Sequence, residues 1–309
     1  MKIGIAGAGT MSASMALIFL EQGYDTILHV RSERSMDRAR GIIGVSLTAD
    51  VRMGRRTQEE ADTLLKQLRF TTEVRDLADR DLVIESIVED LETKQEYWER
   101  VSYVVSDRCV LATNTSGLSI NEISTRVRGR NRFLGMHWFN PAHLIPLIEV
   151  IRCDQTDEHS TQLVFEVARS IGKKPVLCRR DVPGFIANRI QFAVLRECMD
   201  MAEHGVASIE DIDAVMKYGL GFRYAAFGPF EVADFGGLDT FYHISEYLNG
   251  DLCNTEQPQK LLADHYKRNE YGVKTRRGFY DYSDGADIRA VERRDRLFSL
   301  LYQTLYETE

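Results

Sequence analysis

The sequence predicts an α/β protein in two parts: a doubly wound parallel sheet over residues 1–181 and a mostly α-helical C-terminal domain over residues 182–309. In the first part, short apolar runs alternate with helix-length segments, as in β-α-β units. After Pro183 and Gly184, apolar residues recur only at helical spacing, for example at Ile186, Ile190 and Val194. A chain of 309 residues is long enough for two such domains.

Five apolar runs of strand length are the predicted strands of the sheet, at residues 3–6, 26–30, 81–84, 109–112 and 133–136. Residues 14–22 have the pattern of a helix between the first two strands. The charged segment 33–67 also carries apolar residues at helical spacing. It therefore predicts a pair of helices that projects from the sheet.

The composition limits the classes of partner. A formal net charge of −8 disfavours nucleic acid and anionic membranes as general partners. The five cysteines contain no CxxC pair, so we expect no disulfide framework and no metal site. They indicate reduced thiols in a cytoplasmic protein. No segment approaches the roughly 18 consecutive apolar residues of a membrane-spanning helix.

A glycine-rich turn, Gly7-Ala8-Gly9-Thr10-Met11-Ser12, connects the first predicted strand to the first predicted helix. In a β-α-β unit such a turn binds the pyrophosphate of a dinucleotide. Gly7 permits the tight turn, Gly9 lets the backbone approach the phosphates, and the helix that begins near Thr10 and Met11 points its N–H groups at them. Ser12 stands where a third glycine is usual. The turn predicts a Rossmann-type domain that binds NAD(P).

The end of the second predicted strand bears on which cofactor is bound. An acidic residue about 20 positions after the glycines usually holds the ribose 2′-hydroxyl of NAD, but Val30 stands there. Arg31 and Ser32 follow, and both side chains can bind a 2′-phosphate. We therefore expect NADP(H) to be preferred over NAD(H). The alternative is that Arg31 stacks on adenine while Glu33 binds the ribose.

Several polar motifs follow the later strands and open the second domain. Their order and spacing resemble the 3-hydroxyacyl-CoA dehydrogenase family over nearly the whole chain, from Lys2 to about Tyr282. The motifs are Glu85-Ser86-Ile87-Val88-Glu89-Asp90 with Lys94, Asn114-Thr115-Ser116-Gly117-Leu118-Ser119, Gly135-Met136-His137-Trp138-Phe139-Asn140-Pro141, Leu147-Ile148-Glu149-Val150, Pro183-Gly184-Phe185-Ile186-Ala187-Asn188-Arg189 and Lys274-Thr275.

The resemblance implies a role for each polar residue. Histidine titrates near neutral pH, which suits a base that takes the proton of an alcohol as hydride leaves carbon. His137 is implied to be that base, and Glu149 to fix its tautomer. Ser116 and Asn188 are implied to contact the substrate oxygen. The residues implied to contact the cofactor are Glu89, Lys94, Asn140 and Lys274.

Less specific interpretations of three of these residues remain open. Glu149 could be a surface carboxylate on an edge strand. Asn188 could cap a helix, and Lys94 could belong to a solvated helix face.

Two substrate classes fit the sequence. The resemblance implies a 3-hydroxyacyl-CoA, whose phosphates would meet the cations of the charged segment, namely Arg52, Arg55, Arg56 and Lys66. The alternative is a small free acid, because the run 219–224 before Gly228-Pro229-Phe230-Glu231 resembles the L-gulonate 3-dehydrogenase/lambda-crystallin branch and the carnitine dehydrogenases. In that case Arg223 would bind the carboxylate bidentately, and Arg276 would enter the cleft.

A different functional class is a non-catalytic dinucleotide-binding sensor, which the serine at position 12 allows. Such a sensor needs no base, so the set of Ser116, His137, Glu149 and Asn188 argues against it. The resemblance also implies a homodimer formed by the helical domain. The active site is expected in the cleft between the two domains, beyond the carboxyl ends of the strands.

Overall fold

The computed structural model describes residues 1–52 and 54–306, and the chain divides into two compact units, Met1–Asn188 and Arg189–Glu309. Within the described residues, eight strands of the first unit form one sheet in the order β3-β2-β1-β4-β5-β6-β7-β8. The strands are β1 (Lys2–Ala6), β2 (Asp25–His29), β3 (Arg69–Thr71), β4 (Leu82–Glu85), β5 (Val110–Thr113), β6 (Phe133–Trp138), β7 (Leu147–Arg152) and β8 (Lys174–Cys178). Every neighbouring pair is parallel except β6 and β7, which are antiparallel.

Helices connect the strands and cover both faces of the sheet. They are α1 (Thr10–Glu21), α2 (Glu33–Arg52), α3 (Gln58–Gln67), α4 (Leu91–Val104), α5 (Ile120–Ile123) and α6 (Glu158–Ser170). Alternate residues of β1 enter different apolar clusters: Ile3 and Ile5 pack with α1 and α2, whereas Ala6 packs with Trp98 of α4. This alternation is what a strand with helices on each side requires.

The sequence-based fold class is confirmed, and so is the helical pair in the charged segment, which forms α2 and α3. Thr57 begins α3 with a capping box, because its hydroxyl accepts from the N–H of Glu60 and the Glu60 carboxylate accepts from the N–H of Thr57. Three strands were not predicted. β3 has only three residues, and β8 contains a proline, so neither has a strong strand pattern. β7 was recognised only as part of a motif.

Among its described residues, the second unit consists of helices and connecting loops, and its β-structure is limited to isolated bridges that join Gly272 to Arg277 and Arg277 to Asp281. Its helices are α7 (Ala187–Glu203), which begins in the first unit, α8 (Ile209–Val215), α9 (Gly221–Ala226), α10 (Pro229–Gly236), α11 (Leu238–Leu248), α12 (Lys260–Lys267) and α13 (Ala286–Tyr306). A π-helical turn, Met216–Leu220, joins α8 to α9. Among the helices that the structure describes, none combines the length and apolar character required to cross a bilayer.

Candidate active site

The glycine-rich turn leaves open space above the start of α1. Gly7 has a φ of +127°, and a Cβ there would lie 2.3 Å from both the Ser12 hydroxyl and the Ser86 carbonyl oxygen. A Cβ at Gly9 would meet nothing within 4 Å. No side chain caps α1, so its first N–H groups can receive an anion. The turn fits the pyrophosphate of a dinucleotide.

Ser12 explains how the turn tolerates a residue other than the third glycine. The side chain is completely buried, and its hydroxyl donates to the backbone oxygen of Ser86 at 3.2 Å. The hydroxyl therefore connects the start of α1 to the segment that follows β4. The buried Ser12 hydroxyl therefore has a hydrogen-bond acceptor, and its burial leaves no unpaired donor in the turn.

The residues after β2 are those on which the predicted choice of cofactor depends. Val30 is buried, while the Arg31 side chain is exposed. The Ser32 hydroxyl accepts from the N–H of Ser35 at 3.3 Å and lies 3.1 Å from the Ser35 hydroxyl. The hydrogen bonds of Ser32 thus connect the segment before α2 to the first turn of that helix. The position that is usually acidic holds the buried apolar side chain of Val30.

The antiparallel pairing of β6 and β7 places His137 opposite Glu149. Their side chains form a hydrogen bond of 2.8 Å between Nδ1 and Oε2. His137 is 3% exposed and Glu149 is 1% exposed, so Glu149 is not a surface carboxylate. The rings of Phe139 and Phe185 lie 4.4 and 5.6 Å from the imidazole, measured between ring centroids. The imidazole thus has one polar partner and two aromatic neighbours.

The second oxygen of Glu149 binds the turn that begins α7. Oε1 accepts from the N–H groups of Ile186 at 2.9 Å and Ala187 at 2.8 Å. Phe185, just before them, has a φ of +50°, an unfavourable value for a bulky residue that occurs mostly at sharp turns. That turn aims two consecutive N–H groups at a single carboxylate oxygen.

These contacts set the charge of Glu149. Burial raises the pKa of this carboxyl, but the hydrogen bonds from His137 and from the backbone of Ala187 and Ile186 outweigh burial and hold the pKa below its usual value. The carboxylate is therefore ionised at neutral pH. An ionised carboxylate requires a donor, so Nδ1 of His137 carries the proton and Nε2 is the nitrogen that can accept one.

Asn188 and Ser116 are in direct contact. The Asn188 amide donates from Nδ2 to the backbone oxygen of Ser116 at 2.9 Å. The N–H of Ser116 donates to Oε1 of Glu89 at 2.8 Å, and the Thr115 hydroxyl binds the same oxygen. Ser116 is thus held from two sides, while its own side chain is exposed. The structure places three predicted residues, Glu89, Ser116 and Asn188, in one hydrogen-bonded group.

Lys94 lies in a buried ion pair and not on a solvated helix face. Neither Lys94 nor Glu85 has exposed surface, and Lys94 Nζ binds Glu85 Oε1 directly. The same ammonium lies 3.4 Å from Oε2 of Glu89. Any contribution of Lys94 to cofactor binding therefore passes through Glu89, because its ammonium group is enclosed.

Glu85 belongs to a motif quoted above, but no role was predicted for it from the sequence. Its Oε2 accepts from Trp98 Nε1 at 3.1 Å and from the Thr113 hydroxyl at 2.8 Å, and its Oε1 accepts from the N–H of Ile87 at 2.9 Å. The available signal was an acidic residue that ends the apolar run Leu82-Val83-Ile84, nine positions before a lysine. A carboxylate in such a strand needs a buried cation.

Three predicted residues belong to the helical unit. Lys274 lies in a 3₁₀ turn, Val273–Thr275, and Arg223 is an exposed residue of α9. Arg276 was expected to enter the substrate cleft, but its Nε donates to Asp287 of α13 at 3.1 Å. Its guanidinium is therefore already paired with a carboxylate.

Two of the four cations proposed for CoA phosphates are paired as well. Arg56 contacts Glu21 at 2.5 Å and Asp50 at 3.4 Å, and Arg55 contacts Asp50 at 3.4 Å. Arg52 and Lys66 have no ion pair among the described residues. The projecting segment thus offers less free positive charge than its sequence suggests.

The chain matches two family models in succession. The model for the NAD binding domain of 3-hydroxyacyl-CoA dehydrogenase matches residues 2–182, and the model for the C-terminal domain of the same family matches residues 184–282. Helix α13 lies beyond both matches.

Curated relatives carry names from two substrate classes. A probable 3-hydroxybutyryl-CoA dehydrogenase of Deinococcus radiodurans is 37% identical over 283 residues, which are 91% of this chain and 100% of the relative. A 5-formyl-3-hydroxy-2-methylpyridine 4-carboxylate 5-dehydrogenase of Mesorhizobium japonicum is 32% identical over 283 residues, which are 91% of each chain.

Solved structures share the architecture of the chain. The crystal structure of a 5-formyl-3-hydroxy-2-methylpyridine 4-carboxylic acid 5-dehydrogenase, described as an NAD+ dependent dismutase, has a TM-score of 0.87 and 29% identity over 98% of both chains. The Mycobacterium tuberculosis protein FadB2 has a TM-score of 0.77 and 34% identity over 91% of this chain and 99% of its own. The chain described here belongs to the 3-hydroxyacyl-CoA dehydrogenase family.

Proposed function

We propose that this protein is an NAD(P)-dependent dehydrogenase in which His137 is the general base for oxidation of a hydroxyl group. The observation that carries the proposal is the buried 2.8 Å contact between His137 and an ionised Glu149. In oxidation, His137 Nε2 takes the hydroxyl proton, and Glu149 stabilises the resulting imidazolium. In reduction, the imidazolium returns that proton to the carbonyl oxygen. Hydride transfer is the chemistry that a nicotinamide cofactor would supply when bound.

The remaining site residues position the reactants. Gly7, Gly9, Thr10 and Met11 provide the turn and the helix N-terminus for the pyrophosphate. Asn140 and Lys274 are proposed contacts on the cofactor side, and Glu89 is the group through which Lys94 acts there. Ser116 and Asn188 are proposed to donate to the substrate oxygen, where negative charge develops. This division of roles argues against a non-catalytic sensor, which requires only the cofactor contacts.

On the substrate, we favour a small free acid over a 3-hydroxyacyl-CoA. Two of the four cations proposed for CoA phosphates are already paired with Asp50 and Glu21. A structural match over 98% of both chains must include most of α13, and the matched protein carries in its name a pyridine with a formyl and a carboxylic acid group. Arg223 is an exposed cation that can bind a carboxylate bidentately. The 37% identity to a probable 3-hydroxybutyryl-CoA dehydrogenase keeps the acyl-CoA as the second candidate.

A substrate panel separates the two candidates. We expect kcat/KM with small hydroxy acids and with aldehyde or hydroxymethyl derivatives of aromatic acids to exceed kcat/KM with acetoacetyl-CoA. In the Arg223→Ala variant, kcat/KM for the free acid should fall by about 10- to 100-fold, which corresponds to loss of a charge-assisted hydrogen bond of ~1.5–3 kcal/mol. Arg293→Ala, which removes an exposed cation from α13, is the matched control. Efficient reduction of acetoacetyl-CoA that is insensitive to Arg223→Ala would instead support the second candidate.

We also propose that NADP(H) is preferred over NAD(H). Arg31 and Ser32 lie directly before α2, and Val30 occupies the position of the usual acidic residue. We expect Arg31→Ala to lower kcat/KM with NADPH by about tenfold or more, with little change for NADH, because only NADPH carries the 2′-phosphate. Arg38→Ala, in the next turn of α2, is the control. A wild-type preference for NADH contradicts the proposal.

We propose that the protein is a homodimer formed through α10 and α11. Neither helix contains a buried residue, although their large apolar side chains include Phe230, which is 86% exposed. An apolar surface of this kind is typical of a contact between subunits. Light scattering should give twice the mass of the 35.3 kDa chain. The Phe230→Glu/Phe235→Glu variant should give the monomer mass, whereas a monomeric wild-type protein excludes the dimer.

A further inference from the structure

A loop of eight residues, 139–146, joins the strand of His137 to the strand of Glu149. Near its start the loop carries Asn140, which is a proposed contact of the cofactor. Within the loop, the N–H groups of Leu144 and Ile145 donate to the backbone oxygen of Pro141 at 3.1 and 3.0 Å. These bonds form a compact turn, but they do not attach the turn to the rest of the sheet domain.

Lys173 provides a side-chain attachment, in addition to the backbone hydrogen bond from the N–H of Lys174 to the Pro146 oxygen at 2.8 Å. It precedes β8, and its backbone N–H donates to the Ala168 oxygen at the end of α6. Its side chain crosses to the loop, where Nζ donates to the backbone oxygens of Ala142 at 2.5 Å and Ile145 at 2.8 Å. The ammonium also lies 5.8 Å from the centroid of the Trp138 ring. One side chain thus connects the α6–β8 junction to two points of the loop.

The electrostatics of Lys173 are unusual for a buried lysine. The residue is 7% exposed, and among the described residues no carboxylate lies within ion-pairing distance of its ammonium group. Burial lowers the pKa of Lys173 to about 8. A cation with only neutral partners gives the fold less than an apolar side chain of the same volume would. Core stability therefore does not explain the lysine.

We propose that Lys173 is a positioning residue that holds the 139–146 loop in the conformation required for binding the nicotinamide cofactor. The two carbonyls that it binds belong to Ala142, two residues after Asn140, and to Ile145, two residues before β7, so it holds both ends of the turn. His137 and Glu149 are aligned by strand pairing and need no such support. Loss of Lys173 therefore weakens cofactor binding more than it slows the chemical step. This inference rests on the proposed function.

The test compares three variants by calorimetric titration with NADPH and with NADH. Lys173→Met removes the donors but keeps an unbranched side chain, and Lys173→Arg keeps a charged donor. Lys174→Met removes the exposed cation next to it and is the matched control. We expect the dissociation constant of the preferred cofactor to rise at least about tenfold in Lys173→Met, the scale of one lost charge-assisted hydrogen bond. It should stay within about threefold of wild type in the other two variants, and kcat at saturating cofactor within about threefold in all of them.

Each outcome distinguishes this inference from the proposed function. If Lys173→Met binds the cofactor as wild type does, whatever its thermal stability, Lys173 is a structural residue and the inference is overturned. If Lys173→Met does not fold, Lys173→Gln supplies neutral donors for the same titration, and wild-type affinity with an unchanged melting temperature supports the role of the two hydrogen bonds. Weak binding by both Lys173→Arg and Lys174→Met contradicts a specific role. Wild-type protein that binds neither NADPH nor NADH contradicts the proposed function itself.

Discussion

Replacement of His137 by glutamine should lower kcat by about 10²- to 10⁴-fold, the usual contribution of a general base. Glutamine has a similar reach and can still donate to Glu149, but it has no nitrogen that accepts a proton near neutral pH. The imidazole is buried in unit 1, while the glycine-rich turn that is proposed to bind the pyrophosphate lies elsewhere on the sheet, so cofactor affinity should change little. Steady-state kinetics together with calorimetric titration of the cofactor measure the two effects separately.

The control for this variant is His159→Gln, which changes an exposed histidine on α6. Its kcat should match that of wild type. Glu149→Gln provides a second test, because it keeps the shape of the acid and removes the charge that fixes the imidazole tautomer. Turnover of His137→Gln within about threefold of wild type would show that another group takes the proton.

Replacement of Lys94 by methionine should lower the free energy of unfolding by about 3–5 kcal/mol, the cost of removing one member of a buried ion pair. Glu85 would be left without its cation in a site that has no exposed surface. Trp98, Thr113 and Ile87 still donate to it, but they are neutral and do not replace the lost charge. Urea denaturation followed by circular dichroism gives the free energy of unfolding.

A double variant separates the ion pair from the packing of the long lysine chain. Lys94→Met/Glu85→Gln removes both charges and keeps an acceptor and a donor at position 85, so it should be more stable than Lys94→Met alone. Lys66→Met, on the exposed surface of α3, is the control and should change the free energy of unfolding by less than about 0.5 kcal/mol. A loss below about 1 kcal/mol in Lys94→Met would mean that water reaches Glu85.

The sequence was sufficient for the parts of the sheet that have a local signature. The first strand, the glycine-rich turn and α1 follow one another without a gap, and turn chemistry and apolar runs predict each of them. β8, with the sequence KPVLC, lacks such a signature because it is short and contains a proline. Its place at the sheet edge depends on pairing with β7. No short window of the sequence predicts a pairing between two strands that are separated by a helix.

The candidate site shows the same limit. The motif order was enough to name His137 and Glu149, but their contact depends on the antiparallel register of β6 and β7. The register requires a hairpin in an otherwise parallel sheet, which apolar patterning alone does not predict. Lys94 and Lys173 illustrate a further limit, because a charged residue on an amphipathic pattern is normally assigned to the surface. Only the fold shows that both are buried.

The two N–H groups that bind Glu149 are also among the first backbone donors of a helix of 17 residues, α7. Glu149, which lies on β7, thus caps α7 in addition to orienting the imidazole. Its pKa is lowered in the folded protein, so the stability that it contributes is present above the unfolded pKa and is lost as pH falls through the folded value. Acidification should therefore loosen the start of α7 and release the imidazole in one protonation event.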